Sequence, residues 1–389
     1  MTIRRLLFWL HLTVGICVGV VVAFLALTGC ILAFQQQAIA WAERGAQIGS
    51  PLPDSSCVPP STLLMNASDA AHTSPTAVMF FSDPHQPSQI VFGRGRLLLA
   101  DACRGSVIGT GASKLRVFFA DVRDLHRWAA LERDGHETLR SIKNAGSLAF
   151  GFLILSGLVL WLPRRLTKHH VRSATVPRWK LRGRAREWNW HNVFGFWMAV
   201  PLLVIVTTGA IMAYPWANTI LYKIAGSQPP VRGEADGKTA KPLARDKWVF
   251  LDASIARAKA EDPKWHSLLL RMPAEKESKL NFTVDEGSGG RPQLRSQLVI
   301  DRKEGKVLRR ETFDSTPRGR QWRLIARYLH TGEIFGLTGE MVAFLAAASA
   351  FLLVWTGFSL TARRWKSWRA NRHKRPETKE KLLAEVQLQ

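Results

Sequence analysis

Four histidines stand where long apolar runs begin or are about to begin: His11, His126, His191 and His330. An ionisable side chain at membrane depth points to function by default, because hydrocarbon penalises it. Four chemistries compete for these imidazoles. Each ring can be a packing residue that hydrogen-bonds a carbonyl or reaches the interface. A zinc site needs three or four ligands close together, with thiolates or carboxylates among them. A proton relay normally adds intramembrane Asp or Glu, and the apolar runs contain neither. Axial ligation of haem needs only two imidazoles, one from each side of a flat macrocycle, with small residues where it lies against a helix. His11 is followed at i+4 by Gly15, and His191 at i+4 by Gly195. Residues four apart share a helix face, so each glycine leaves room beside its histidine. Haem is the sharpest of the four readings.

The elements that carry these residues are four apolar runs: Leu6 to Phe34, Ala145 to Leu162, Val193 to Tyr214 and Met341 to Leu360. Each is close to or above the ~20 residues that span a bilayer. The first resembles a signal peptide, with Arg4 and Arg5 before it and Ala38-Ile39-Ala40 after it. Its apolar stretch is too long for a signal core, so it is read as a retained helix.

The net charge is +24, from 54 Lys and Arg against 30 Asp and Glu. A soluble chain with that excess would suggest nucleic acid. Here +16 of it falls in three short segments: the N-terminus, Pro163 to Trp188, and the tail after Phe358. The positive-inside rule places these in the cytoplasm, with both termini. Segments 35–143 and 215–338 then lie outside. His11 and His191 enter from the cytoplasmic side at similar depth, and His126 and His330 lie near the external face. No nucleic-acid partner is expected.

The chain repeats itself. His11-x3-Gly15 leads to Thr28-Gly29, and His191-x3-Gly195 leads to Thr208-Gly209, with no gap between the copies. More loosely, Leu125-His126 leads to Ser156-Gly157, and Leu329-His330 to Thr356-Gly357. The organisation is helix, external domain, helix, twice over. His136 is an alternative to His126, because the spacing from His126 to Gly157 exceeds that from His330 to Gly357. His72, His85, His169, His170, His266 and His373 are read as surface residues. The glycines 332, 336 and 339 predict a break between His330 and the last span.

Residues 248–312 read as a small α+β unit. A helix is expected over 252–262, and strands over 267–271, 279–284 and 297–301, with a turn through Lys303 to Lys306. The first external segment carries weaker versions at 76–82, 89–92 and 97–101. It also holds Cys57 and Cys103, which would pair in an oxidising compartment or else remain unrelated thiols. Neither segment has a nucleophile elbow, a zinc-protease motif or a phosphate loop. The cytoplasmic loops are too short for a nucleotide domain.

Leu10-His11, Leu27-Thr28-Gly29, Leu125-His126-Arg127-Trp128, Gly157 to Pro163, Trp190-His191 and Leu329 to Gly336 together resemble the PepSY-associated transmembrane helix family over the whole chain. The resemblance implies a mainly α membrane protein, with four transmembrane helices in two tandem repeats and a periplasmic α+β, PepSY-like domain. The segments are 1–34, 144–163, 191–214 and 339–360 for the helices, 164–190 and 361–389 for the basic cytoplasmic parts, and 35–143 and 215–338 for the external parts, the first of them degenerate. It implies an inner-membrane oxidoreductase holding two haems b on His11, His191, His126 and His330. An Fe(III)-siderophore would be reduced in the periplasm by electrons from a quinol or a cytoplasmic reductant. The alternatives are a non-enzymatic membrane binding or regulatory protein, and a haem subunit serving a partner oxidoreductase.

Overall fold

A computed structural model describes residues 2–46, 48, 57–93, 96–127, 137–162, 167–230 and 242–386. In chain order the helices are α1 (Ile3–Leu32), α2 (Gln35–Ala42), α3 (Pro60–Ala71), α4 (Ser113–Arg127), α5 (Glu137–Trp161), α6 (Lys168–Thr175), α7 (Gly183–Ala213), α8 (Pro215–Ile224), α9 (Val249–Glu261), α10 (Arg318–Thr331) and α11 (Gly336–Val386). The strands are β1 (Ala77–Phe81), β2 (Ser88–Val91), β3 (Leu97–Ala100), β4 (Val107–Gly109), β5 (Ser267–Arg271), β6 (Lys279–Asp285), β7 (Arg295–Asp301) and β8 (Val307–Thr312). The chain divides into two compact units. One comprises Met1–Cys30, Leu131–Ala210 and Met341–Gln389; the other comprises Ile31–Ala130 and Ile211–Glu340.

The first unit is helical. Four helical stretches are long and apolar enough to cross a membrane: Ile3–Ala42, Arg140–Trp161, Gly183–Ala213 and Glu333–Asn371. Their mutual core is built from small side chains. Ala26, Ala199, Ala346 and Ala350 are buried with Ile154, Leu202 and Val206. A Cβ on Gly19 would lie 2.6 Å from the ring of Phe358, and one on Gly146 would lie 2.9 Å from Val21. Close approach through small residues is how helices pack where hydrophobic burial gives no drive. Large apolar side chains point outward instead, as at Val20, Val200 and Trp355. The basic ends are tied down. Arg363 makes a two-pronged ion pair with Glu187, both contacts 2.9 Å. Arg4 donates to the carbonyls of Leu160 and Leu162 at the end of α5, at 2.6 and 2.8 Å, where helix carbonyls lack partners.

The helices start before their apolar runs, α5 at Glu137 for example, and the extension is largest at the start of α7 and the end of α11. α7 begins at Gly183, so His191 lies two turns inside it rather than at its opening. α11 continues to Val386 through the basic tail. Polar helix-forming residues extend both helices beyond the stretch that hydropathy marks.

The second unit is an eight-stranded antiparallel sheet in the order β4-β3-β2-β1-β5-β6-β7-β8. Each of the two long segments between the apolar helices contributes a helix followed by a four-stranded meander: α3 with β1 to β4, and α9 with β5 to β8. The meanders join edge to edge through β1 and β5, where Met79 pairs with Leu269. The first segment, weaker in sequence, thus forms the same series of elements as the second. Its fourth strand, β4, escaped the sequence pattern because it is only three residues long. One sheet face buries Val78, Phe80, Leu268, Leu270, Leu280, Phe282, Leu298 and Ile300 together with Leu63, Leu64, Leu251 and Ile255 of α3 and α9. The Asp252 carboxylate of α9 accepts from the backbone N–H (2.7 Å) and the hydroxyl (2.6 Å) of Ser61, capping the start of α3.

The β3–β4 and β7–β8 turns are built alike. The Asp101 side chain accepts the N–H groups of Cys103 and Arg104, and the Asp301 side chain those of Lys303 and Glu304. Gly105 and Gly305 follow at φ +69° and +65°, a region that glycine alone enters freely. Cys57 and Cys103 are joined in a disulfide.

Candidate functional site

His126 and His330 are positioned by two amphipathic helices of the sheet-containing unit. His126 lies in the last turn of α4, and His330 in the last turn of α10. The two helices are anchored in parallel ways. Glu43, just beyond α2, accepts the N–H of Ala112 (3.0 Å) before α4 and grips Arg116 at 2.9 and 2.7 Å. On α10, Gly319 packs against Tyr222 of α8 and donates its N–H to Ser227 at 2.9 Å. Arg323 of α10 donates to Asn218 of α8 at 2.5 Å. α10 ends at Gly332, φ +81°, which any Cβ would drive into the Gly339 backbone. A 3-10 turn over Glu333–Phe335 then separates it from α11, the expected break.

The structure brings His126 and His330 together. Their ring centroids are 6.4 Å apart and their planes are inclined by 60°. Two imidazoles bound to opposite sides of one metal would place their centroids about 6 Å apart, since each metal–nitrogen bond is about 2.0 Å. Imidazoles at that separation could reach one metal ion from opposite sides. His136, the alternative to His126, and Trp128 of the same motif lie outside the described residues.

His11 and His191 sit in the helical unit, each eight residues into its helix. They lie within electrostatic reach of each other. Each ring has the same kind of seat on another helix. His11 Nδ1 is hydrogen-bonded to Ser156 Oγ of α5 at 2.8 Å, and His191 Nδ1 to Thr356 Oγ1 of α11 at 2.9 Å. The next residue in each case is glycine. A Cβ on Gly157 would lie 3.4 Å from His11 Cε1, and one on Gly357 would lie 3.7 Å from His191 Cε1. Gly15 and Gly195 face Leu153 and Leu353, one turn before those hydroxyls. Trp190, beside His191, has a buried indole N–H without a hydrogen-bond partner among the described residues. The Arg186 guanidinium lies 5.2 Å from the centre of that indole ring.

Among the described residues, no three His, Cys, Asp or Glu side chains gather as a metal site. The donor sets are pairs of imidazoles, which suit a metal that brings four ligands of its own. His72 caps α3 in the left-handed region, His85 hydrogen-bonds the Ile48 carbonyl at 3.1 Å, and His266 packs edge-on against Phe81. These are structural roles.

Sequence reasoning missed the hydroxyl partners and the helices α4 and α10. The helices had a signal: Leu115, Phe119, Val122 and His126 fall at helical spacing, as do Leu324, Tyr328 and Thr331. The Ser-Gly and Thr-Gly dipeptides were visible as repeats, but only the fold sets them against a histidine. A family model described as the PepSY-associated TM region matches residues 8–364. No curated protein matches the chain.

Proposed function

The chain belongs to the PepSY-associated transmembrane family, and from that membership and its two imidazole pairs we propose that it is a di-haem b reductase of a bacterial inner membrane. His11 and His191 hold one haem and His126 and His330 the other. The 6.4 Å centroid separation of His126 and His330 carries this reading. Haem b on each pair supplies one-electron transfer, so that electrons from a quinol or a cytoplasmic reductant reach an Fe(III)-siderophore in the periplasm. The charged segments support that orientation, with both termini cytoplasmic. The Cys57–Cys103 disulfide supports an oxidising surrounding for the sheet.

The residues do four things in this scheme. The histidines present ring nitrogens. Ser156 and Thr356 hold two of those rings from behind. The alanine-lined core packs α1 and α7, which carry His11 and His191, against α5 and α11. The orphan Trp190 N–H and the Arg186 guanidinium beside it could offer a hydrogen bond and a positive charge to an acidic group of a bound haem. The mirrored meanders and matching Asp–Gly turns support a tandem duplication as the origin of the two pairs.

No general acid or base is required, because Fe(II) is held less tightly by the hard oxygen donors of a siderophore than Fe(III) is, and one-electron reduction frees it. The test is to reduce the purified protein and mix it with a ferric hydroxamate in the presence of an Fe(II) chromophore. Stoichiometric Fe(II) formation, lost in His330→Ala, is expected. Haem oxidation without Fe(II) release would favour a subunit that serves a partner oxidoreductase. Absence of haem would favour a binding protein.

A further inference from the structure

We propose that Ser156 and Thr356 are positioning residues that lock His11 and His191 in the Nδ1–H tautomer, so that each ring presents a bare Nε2. The role of that nitrogen as a ligand rests on the haem reading above; the tautomer does not.

The direction of each hydrogen bond follows from where the hydroxyl proton goes. Thr356 sits inside α11, and its Oγ1 donates back along the helix to the carbonyls of Leu352 at 2.8 Å and Leu353 at 3.1 Å. We assign its single proton to the Leu352 carbonyl, the shortest of its contacts. What Oγ1 can still offer His191 Nδ1, 2.9 Å away, is a lone pair. The proton in that contact must therefore belong to the ring. We assign Ser156 the same role from its matching place in the other half of the chain: its Oγ reaches the Leu153 carbonyl at 3.2 Å and lies 2.8 Å from His11 Nδ1. A neutral imidazole carries one N–H, so both rings leave Nε2 unprotonated.

The neighbouring glycines complete each seat. Gly157 and Gly357 follow the hydroxyl residues directly, and the Cε1 edge of each ring packs close against them, 3.4 and 3.7 Å from where a Cβ would stand. A hydroxyl followed by a glycine thus fixes one ring nitrogen and lets the ring seat closely on the helix. A metal-bound histidine is commonly oriented by an acceptor on its other nitrogen, which also makes it a stronger donor. Carbonyls and carboxylates usually serve. Here hydroxyls already spent on their own helix do so, and no charge is introduced into the apolar interior.

The experiment uses the reduced full-length protein, 15N-labelled at histidine, and the variants Ser156→Ala, Ser156→Thr, Thr356→Val and Thr356→Ser. NMR reports which ring nitrogen carries the proton, and a redox titration reports the midpoint potential. In the parent protein, His11 and His191 show protonated Nδ1 and unprotonated Nε2. Where haem occupies Nε2 the proton stays on Nδ1, so Ser156→Ala and Thr356→Val each reorient the ring of their own histidine; in haem-free protein they bring a mixed tautomer. They also raise the potential of the interior haem, whereas Ser156→Thr and Thr356→Ser leave both readouts as in the parent. Protonated Nε2 in the parent, or unchanged ring orientation and potential in Ser156→Ala and Thr356→Val, overturns the proposal. A haem-free protein whose tautomers respond as stated contradicts the haem reading and keeps this one.

Discussion

The imidazoles of His126 and His330 stand with their centroids 6.4 Å apart, although one ends α4 and the other ends α10. Each helix is clamped independently, α4 by Glu43 and α10 by Tyr222, Ser227 and Asn218. The separation is thus a product of the sheet-containing unit and its flanking helices. Under the proposed function the four histidines act as two couples. His126→Ala should match His330→Ala, and His11→Ala should match His191→Ala. Each single variant is expected to lose about half of the haem b absorbance, because a haem that loses one axial ligand is held by the other alone. The bound haem per chain, measured after purification, checks this. Four independent losses would contradict the pairing.

The two glycine seats are unequal. A methyl on Gly157 meets His11 Cε1 at 3.4 Å, the near limit of ordinary contact, while one on Gly357 meets His191 Cε1 at an easier 3.7 Å. Gly157→Ala should therefore displace its ring more than Gly357→Ala does. Low-spin EPR of the oxidised protein reads the ring orientation. Equal spectra for the two variants would run against the geometry.

The disulfide crosslinks residues 46 apart within the sheet-containing unit, joining the segment before α3 to the β3–β4 turn. Cys57→Ala with Cys103→Ala should cost roughly 2–4 kcal/mol of stability, mainly by freeing the unfolded chain. A thermal melt of the variant compared with the parent measures it, and reductant should lower the midpoint of the parent alone.

Acid should act on the two matched turns. The backbone N–H groups of Glu304 and Lys303 hold the Asp301 carboxyl below its ordinary value of 3.8. At Asp101 burial pushes upward, but the Arg104 N–H, the Arg104 guanidinium and the Cys103 N–H together bring the carboxyl down. A carboxyl depressed by folding stabilises the fold fully above its unfolded value, and that contribution fades as pH falls through the folded one. Stability should thus decline from about pH 4 downward. Asp101→Asn with Asp301→Asn should lower stability at neutral pH and flatten the acid limb. An unchanged acid limb in that variant would exclude these turns as the cause.

Much of this architecture is legible in the sequence, for physical reasons. Apolar length marks the four spans, alternation marks β1, β2 and β5 to β7, and the glycines at 332 and 336 mark the break after α10. Pairing is less legible. Nothing local in Met79 or Leu269 says that β1 and β5 meet and fuse two meanders into one sheet. α4 and α10 were passed over because basic residues interrupt them and the long spans beside them dominate any hydropathy reading. Ser156 and Thr356 were seen as repeated letters. Their chemistry appears only when α5 and α11 set them against His11 and His191.

The central claim is that this chain binds two haems b on two histidine pairs. The reduced-minus-oxidised spectrum of the purified full-length protein, with haem quantified per chain, tests it most directly. Two haems b per chain are predicted, with both lost when His11→Ala and His330→Ala are combined. A protein without haem b bands, or bands that survive the double substitution, would contradict the account.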